Sequence, residues 1–588
     1  MGMKGAKASR HKVHSLATRV DLSRRDFIKQ SALLVGVSAM PLGILSLPSR
    51  RAHAQTLTTF DYYISPTGTD SNPGTLASPW AITSLQVSNT NWSKLAGKRI
   101  GLLPGTYNVG SMMENDASTG ALQIPGGSSS SWTYLASADA SGNYSPRTAT
   151  LNAFANGLYG GFHSTGPGVY DGPILSHVGR WPKPYPLGYL TLDGIVFTGF
   201  SYKGIRIGGA SSGDGPVITG PVTVQNCEFT GQGFNTGDGQ DNGNSIWVDP
   251  FQPPIGQQGC LVTNCWFHDN VWEGGATSAD HLNAIIAFGF TTECYGLEFC
   301  YNTVVKSGSI YGKEGGISGV NVHHNYIDAT AYAVYSGCIA DFMSGGGTFN
   351  GLTHPSSFHH NVCLSSGSGA GSSGGMMFPT LRQTAYGSGY GWQTPVTIYN
   401  NTVVCVGANT GAMVFDAACA QDNSGLGQLR AFNNIYASNA GGSWNNYGNF
   451  LTTVKSPAVW DYNLFPSSGV TWAIVPDANN FSLCTSHSLY TSAASFASAV
   501  AVGGGIAGIE AHSVAAAPKF TNTGSYAELY KLASGSAGVG QGSSDGTPSG
   551  TPCDLGAWGN GATQIGCNFT SGAQTINTPM PPTLLKVA

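Results

Sequence analysis

The chain has 588 residues, of which 10% are charged, 11% are aromatic and 83 are glycine. The aromatic content excludes a disordered chain, and the glycines follow no collagen-like period. Residues 1–54 carry ten of the 26 basic and two of the 30 acidic groups, so the remainder has 16 against 28, a net charge of −12. This balance argues against nucleic acid as a partner.

The N-terminal segment 1–54 is predicted to be an export signal. Ser23–Lys29 contains a twin arginine, an apolar run follows over 31–47, and Ala52–Ala54 fits a small-x-small cleavage pattern. An amphipathic N-terminal helix or a membrane anchor is the alternative. We expect a mature chain from about Gln55, exported by the twin-arginine pathway to the periplasm or the exterior, with no membrane span.

The first part of the mature chain is predicted to be a strand followed by a loop, a short helix and another strand. Tyr62–Trp80 begins with apolar residues and continues into a Pro/Gly/Asn loop, and Ile82–Leu95 suggests a short capping helix. Arg99–Tyr107 reads as a strand that ends in a turn.

The middle of the chain repeats a short strand, a polar residue and an apolar pair. Aligning the repeats puts one residue of each at the same level, at spacings of 23 to 40 residues: Cys227, Cys265, Asn302, Asn325, Asn361, Asn401, Asn434 and Asn463. An asparagine tolerates a left-handed turn, and its amide can bond to the same amide one coil away. Irregular repeats that are each too small to bury a face predict a solenoid.

The two ends of this region carry a resemblance. Residues 62–80 with 99–107, and Leu555–Trp558 preceded by Asp554, are similar to the opening and closing motifs of right-handed parallel β-helix proteins of the pectate-lyase-like superfamily. The resemblance implies an all-β solenoid with an asparagine ladder and long loops on one side. We expect this domain to span 55–568, with Pro518–Phe520 and Leu529–Leu532 as strands near its end, and a flexible tail at 569–588.

The cysteines show no metal-binding spacing. Cys227 and Cys265 fall at one level of adjacent coils, about 4.8 Å apart, which fits either a disulfide or a stack of buried thiols. Cys553 and Cys567 could close the C-terminal cap.

A further strand precedes each asparagine strand, as in Ser309–Lys313, Ala333–Gly337 and Gly375–Phe378. Alternation predicts outward residues on neighbouring coils, which form an aromatic surface for sugar rings unless loops cover it. The predicted substrate-binding residues on or beside this face are Arg206, Trp247, Phe288, Tyr311, Tyr335 and His281.

Lys313 lies among these rings, and acidic residues enter the same face from the loops. The superfamily resemblance implies a polysaccharide lyase in which a lysine is the base, an arginine neutralises the uronate carboxylate, and acidic groups hold calcium. On this reading the catalytic residues are Lys313, Arg382, Glu314 and Asp280, and the calcium ligands are Asp249 and Glu273. The complete strand motif of those lyases is not present.

Two alternatives stay open. A glycoside hydrolase would use two carboxylates from Asp249, Glu273, Asp280 and Glu314. A non-catalytic glycan-binding β-helix is the other. In each case the partner is a polysaccharide or an oligosaccharide, and we expect a monomer. The pairs His323–His324 and His359–His360 lie beside the asparagines, and we interpret them as structural.

Overall fold

The computed structural model describes most of the segments that form the repeating coils. The described residues are 59–86, 88–109, 122–153, 176–177, 188–200, 203–208, 220–231, 233–235, 242–248, 253, 259–273, 281–288, 294–307, 309–313, 318–328, 330, 340–344, 354–365, 380–383, 396–405, 412–413, 429–438, 444–446, 459–465, 470–474, 488–490, 494–495, 498, 510–543, 553–559 and 561–567. The predicted signal segment 1–54 and the tail 569–588 lie outside them.

Sheet 1 contains twelve parallel strands, each contributed by one coil. Its strands, in spatial and chain order, are β1 (Tyr62–Ile64), β2 (Arg99–Leu102), β4 (Thr133–Ser137), β7 (Leu190–Asp193), β10 (Val222–Gln225), β14 (Cys260–Thr263), β18 (Leu297–Cys300), β21 (Asn321–His323), β24 (Ser356–His359), β27 (Val396–Tyr399), β30 (Leu429–Phe432) and β33 (Val459–Asp461).

Sheet 2 follows sheet 1 after a two-residue turn in most coils, and its twelve strands are also parallel. They are β3 (Gly105–Asn108), β5 (Ala149–Asn152), β8 (Ile195–Thr198), β11 (Glu228–Thr230), β15 (Trp266–His268), β19 (Thr303–Val305), β22 (Tyr326–Asp328), β25 (Val362–Ser365), β28 (Thr402–Cys405), β31 (Ile435–Ser438), β34 (Leu464–Phe465) and β37 (Val514–Ala515).

Sheet 3 has seven parallel strands: β6 (Ser176–His177), β9 (Lys203–Gly208), β13 (Asn242–Val248), β17 (His281–Phe288), β20 (Ser309–Lys313), β23 (Ala340–Ser344) and β26 (Thr380–Gln383). A smaller sheet holds β29 (Ala412–Met413), β32 (Trp444–Asn446), β35 (Val470–Ile474) and β36 (Ser488–Tyr490), and β12 (Gly233–Asn235) pairs with β16 (Val271–Glu273). Short 3-10 helices span Ile82–Leu85, Trp92–Lys94 and Tyr526–Tyr530.

The order of the strands makes the chain a parallel β-helix. Each strand of sheets 1 and 2 pairs with the corresponding strand of the next coil, and parallel strands joined by such crossovers are almost always right-handed. The interior is a stack of apolar residues of which Phe197, Phe229 and Phe267 are examples, with ring centroids 4.9 and 4.8 Å apart. All three rings are fully buried, so each contributes about 2–3 kcal/mol of apolar burial. The predicted fold is confirmed.

The asparagine ladder is confirmed as well. Asn325 Nδ2 donates to Asn361 Oδ1 (2.9 Å), and the same bond recurs from Asn361 to Asn401 (3.0 Å) and from Asn401 to Asn434 (3.0 Å). The ladder ends at Asn463, which binds Ser513 and Glu510 in place of another asparagine. Each of these amides is buried and needs a partner, because an unsatisfied buried donor costs about 1–3 kcal/mol.

The left-handed residue of the turn is not the ladder asparagine, as the sequence predicted, but the residue before it. Positive φ angles of 51 to 59° occur there in eight successive coils, at Asn226, Asn264, Tyr301, His324, His360, Asn400, Asn433 and Tyr462. The ladder asparagines are therefore needed for their amides rather than for their backbone tolerance. The position before them requires only a residue that accepts the left-handed region, where asparagine and histidine are enriched.

The two motifs behind the superfamily resemblance form the ends of the helix. Tyr62 stacks on Trp80 at 4.3 Å, and the Trp80 indole donates to the Asn72 carbonyl (2.7 Å). Near the other end, Leu555 and Ala557 are buried against the last coils. The segment 553–567 crosses several coils, since Gly556 N donates to Asn433 O and Gly566 N donates to His324 O (both 2.8 Å).

Several local predictions differ from the structure. Residues 82–95 form two 3-10 turns rather than one helix, and the predicted strand Leu529–Leu532 overlaps a 3-10 helix instead. Of Pro518–Phe520, only Phe520 makes an isolated bridge, with Leu532.

Cys227 and Cys265 are buried thiols without a disulfide, so of the two alternatives the thiol stack is the one observed. Cys553 and Cys567 form no disulfide with each other, because the segment lies along the coils and holds them apart: Asn433 Nδ2 donates to Cys553 Sγ, whereas Cys567 N donates to Thr303 Oγ1.

Candidate active site

Sheet 3 brings several of the predicted site residues into one register. Arg206, Trp247, Ile286 and Tyr311 are direct neighbours on four successive strands, and Phe288 pairs with Lys313. The residues before the first row, Ile205, Ile246, Ile285 and Ile310, are all fully buried in the core. The predicted register of these four strands is confirmed.

The next two strands differ from the prediction. Tyr311 pairs with Asp341 of β23, and Asp341 pairs with Thr380 of β26. The strands at these levels are therefore Ala340–Ser344 and Thr380–Gln383, not 333–337 and 375–378. Tyr335 lies outside the described residues. Asp341 and Arg382 belong to these two strands.

Arg382 shares a level of sheet 3 with Lys313. Arg382 pairs with Met343, and extending the β20–β23 register by one residue puts Met343 beside Lys313. Neighbouring strands lie about 4.8 Å apart, so the two backbones are separated by about 10 Å. A lysine and an arginine at that spacing can both reach one sugar ring.

Trp247 is the member of this face whose side chain is described. The Trp247 side chain is 5% exposed. Its chain neighbours Ile246 and Val248 belong to the apolar core, whereas Trp247 is not part of that core. The indole is therefore covered on the outer side of sheet 3. At this position the face is covered, which differs from an open stacking surface.

Other predicted residues are not brought together by the described backbone. His281 begins β17 and pairs with Asn242, seven residues before Phe288, which is about 20 Å along a strand. Glu273 ends β16 in the separate two-stranded sheet. Asp249, Asp280 and Glu314 lie outside the described residues.

A second group of titratable side chains lies at the turn between sheets 1 and 2. His323 stacks on His359 with centroids 4.8 Å apart and planes within 1°, and His324 stacks on His360 at 4.7 Å and 4°. Within each coil the rings are perpendicular and their Nδ1 atoms are 2.8 Å apart. We call these four residues the imidazole cluster.

Burial keeps His324, His359 and His360 neutral. Burial, followed by the neighbouring imidazoles, lowers the pKa of His324 to about 2 and that of His360 to about 3. The pKa of His359 is also lowered, by burial first and then by His323. The positions of these histidines were predicted from the sequence, but their pairing through Nδ1 was not, because it depends on the rotation of adjacent side chains.

No protein-family model matches the chain, and no curated protein sequence matches it. Among solved structures, pectate lyase Pel9A is similar at 15% identity and a TM-score of 0.41, over 84% of this chain and 95% of that one. A rhamnogalacturonan lyase is similar at 15% identity and a TM-score of 0.19, over 64% and 82%. Likeness of this order carries no argument about activity, and the assignment of the chain as a parallel β-helix rests on its own strand pairing and asparagine ladder.

Proposed function

We propose that the protein is an exported polysaccharide lyase that cleaves a uronate-containing glycan by β-elimination. Lys313 is the base and Arg382 neutralises the carboxylate of the sugar. The observation that supports this most is the register of sheet 3, in which these two residues fall on one level, two strands apart. Strand alternation counted from buried Ile310 assigns Lys313 and Tyr311 to the face opposite the core.

The reaction uses few groups. The neutral amine of Lys313 takes the proton on the carbon next to the uronate carboxylate, and the electrons of that C–H bond move into the carboxylate system. They then form the carbon–carbon double bond as the glycosidic oxygen leaves with its electron pair and takes up a proton. A cation beside the carboxylate stabilises the charge that develops in the first step.

Arg382 has two roles in this step, one toward the substrate and one toward Lys313. Its guanidinium binds a carboxylate through two parallel N–H donors, which fixes the sugar as well as its charge. A second positive charge near Lys313 would also favour the neutral amine, which is the form that acts as a base. Asp341, beside Tyr311 in the register, would keep part of the site acidic.

Calcium is part of the proposal, since carboxylate oxygens are its preferred ligands and Asp249 directly follows β13. No step of the reaction above depends on it. Activity should be measured both with added calcium and with a chelator. A calcium-dependent lyase forms unsaturated product with added calcium and loses that signal when the chelator is present.

The test is a panel of acidic and neutral polysaccharides, read for ultraviolet-absorbing unsaturated uronide and for new reducing ends. We expect both signals on a uronate glycan. Lys313→Ala should lower the rate by about 10²–10⁴-fold, as loss of a general base does. Lys306→Gln is the matched control, because Lys306 lies in the same coil and pairs instead with Asp269 at 3.5 Å.

The opposing outcomes are distinct. If Lys313→Ala keeps wild-type activity, the assignment of the base is wrong. Reducing ends without unsaturated product, lost in Glu314→Gln and Asp280→Asn, would replace the lyase by a glycoside hydrolase. Saturable glycan binding with neither signal would make the protein a binding module.

A further inference from the structure

The imidazole cluster has the composition of a transition-metal site. The ligand nitrogens of His323, His324 and His359 all lie within 4.8 Å of one another, on two adjacent coils. Two nitrogens bound to one tetrahedral zinc ion at about 2.0–2.1 Å are about 3.3 Å apart. The observed Nδ1–Nδ1 distance of 2.8 Å and the 4.8 Å limit bracket that value, and the parallel rings of His323 and His359 would turn toward a common point when they bind one ion.

Glu298 prepares one of these rings for a metal ion. Its Oε1 lies 2.9 Å from His323 Nε2, and because a carboxylate accepts hydrogen bonds, the ring proton of His323 belongs on Nε2. Nδ1 of His323 is then bare and faces His324. A carboxylate behind a histidine in this way fixes the tautomer and the orientation of a metal ligand and raises its basicity.

The other coils show that the fold does not require imidazoles here. The left-handed position of His324 is filled by Asn264 or Asn400 in nearby coils, and the strand-end position of His359 is filled by Tyr399 in the next. Tyr399 continues the same stack at 4.7 Å from His359. Stacking and turn geometry therefore account for a ring or an amide at these positions but not for three ring nitrogens within 4.8 Å of one another.

Access and charge are compatible with a bound cation. His324 and His359 are partly exposed, whereas His323 is 2% exposed. Neutral imidazole is the form that binds metals, and Glu298 supplies negative charge beside the site. The segment 553–567 covers the same turn, since Gly566 N donates to the His324 carbonyl.

We propose that His323, His324 and His359 bind a divalent transition-metal ion such as Zn²⁺, with Glu298 as the positioning residue behind His323. In the metal-free protein His324 Nδ1–H donates to His323 Nδ1. On binding, that proton moves through solvent to Nε2 of His324, so Nδ1 of His323 and Nδ1 of His324 each offer a lone pair to the ion without net proton release, and His359 supplies a third ring nitrogen. The ion would join two coils at the turn, on a different edge of the coils from sheet 3.

The experiment is calorimetric titration of the full, chelator-stripped protein with zinc chloride, with Co²⁺ absorption as a spectroscopic measure of coordination. We expect one zinc per chain. His324→Asn and His359→Tyr, each copying the residue of another coil, should weaken binding at least ~10-fold, and Glu298→Gln should weaken it ~10- to 100-fold. Circular dichroism checks that the variants fold.

His268→Asn is the matched control, since its ring also pairs with a carboxylate, that of Glu228 at 3.2 Å, but is outside the imidazole cluster. Its dissociation constant for zinc should lie within about threefold of the wild-type value. Absence of saturable zinc binding by the wild-type protein would overturn the proposal. Equal affinity in His324→Asn, His359→Tyr and wild type would do so too, because the zinc would then lie elsewhere.

Discussion

Asn361→Ala tests the contribution of the asparagine ladder to stability. The Asn361 side chain is fully buried; its Oδ1 accepts from Asn325 N (3.1 Å) and Asn325 Nδ2 (2.9 Å), and its Nδ2 donates to Asn401 Oδ1 (3.0 Å). Alanine removes these bonds. Asn325 Nδ2 keeps the Phe299 carbonyl as a partner, whereas Asn325 N loses its acceptor inside the protein.

The cost can be worked from these contacts. One orphaned buried N–H costs about 1–3 kcal/mol, and the loss of the bond to Asn401 adds about 1 kcal/mol, so we expect Asn361→Ala to lower the free energy of unfolding by about 2–4 kcal/mol. Only the coils around the substitution are affected directly, because each coil of a solenoid contacts its neighbours alone.

The assay is urea denaturation followed by circular dichroism, with hydrogen exchange at the Asn325 amide as a local measure. Asn321→Ala is the control: Asn321 is partly exposed in the adjacent strand and accepts one bond, from Ser357 Oγ (2.6 Å). It should cost no more than about 1 kcal/mol. If the two substitutions were equally destabilising, the ladder would not have the energetic role described here.

Three further predictions follow from the turn, the C-terminal segment and the thiols. The pKa of His360 is about 3 in the folded protein against 6.5 in the unfolded chain, so its contribution to the free energy of unfolding is present above pH 6.5 and is lost as the pH falls toward 3. The free energy of unfolding should therefore fall between pH 7.5 and pH 5 by about 2 kcal/mol less in His360→Asn than in wild type, measured from urea midpoints. Gly556→Ala should destabilise by about 2 kcal/mol in thermal unfolding, because φ is +81° and a Cβ would lie 2.6 Å from Thr402 Oγ1; an unchanged melting temperature would contradict this. Cys265, fully buried with its pKa raised first by desolvation, should resist alkylation in the native protein, and rapid labelling seen by mass spectrometry would refute that burial.

The sequence predicted most of the fold because the ladder residues repeat at a fixed level. Each ladder asparagine, such as Asn361, bonds to the asparagine of the next coil. Aligning these residues therefore aligned the strands of sheets 1 and 2. The left-handed position was misassigned by one residue, since Tyr301 and His324 do not look like turn residues. There the requirement is met by several residue types, which conceals the pattern.

Sheet 3 was predicted less well because it has no ladder. Residues 333–337 and Ala340–Ser344 both contain alternating apolar residues, and only strand pairing selects the second. The structure consequently pairs Asp341 with Tyr311 on this sheet and places His281 at the opposite end of its strand from Phe288. The pairing of Nδ1 atoms between His323 and His324 depends on side-chain rotation, which no repeat pattern encodes.

The proposed lyase is tested most directly by incubating wild type, Lys313→Ala and Lys306→Gln with a uronate polysaccharide and following ultraviolet absorption. We predict unsaturated product from wild type and Lys306→Gln, and a rate about 10²–10⁴-fold lower for Lys313→Ala. Unsaturated product formed at the wild-type rate by folded Lys313→Ala would contradict the proposed role of Lys313.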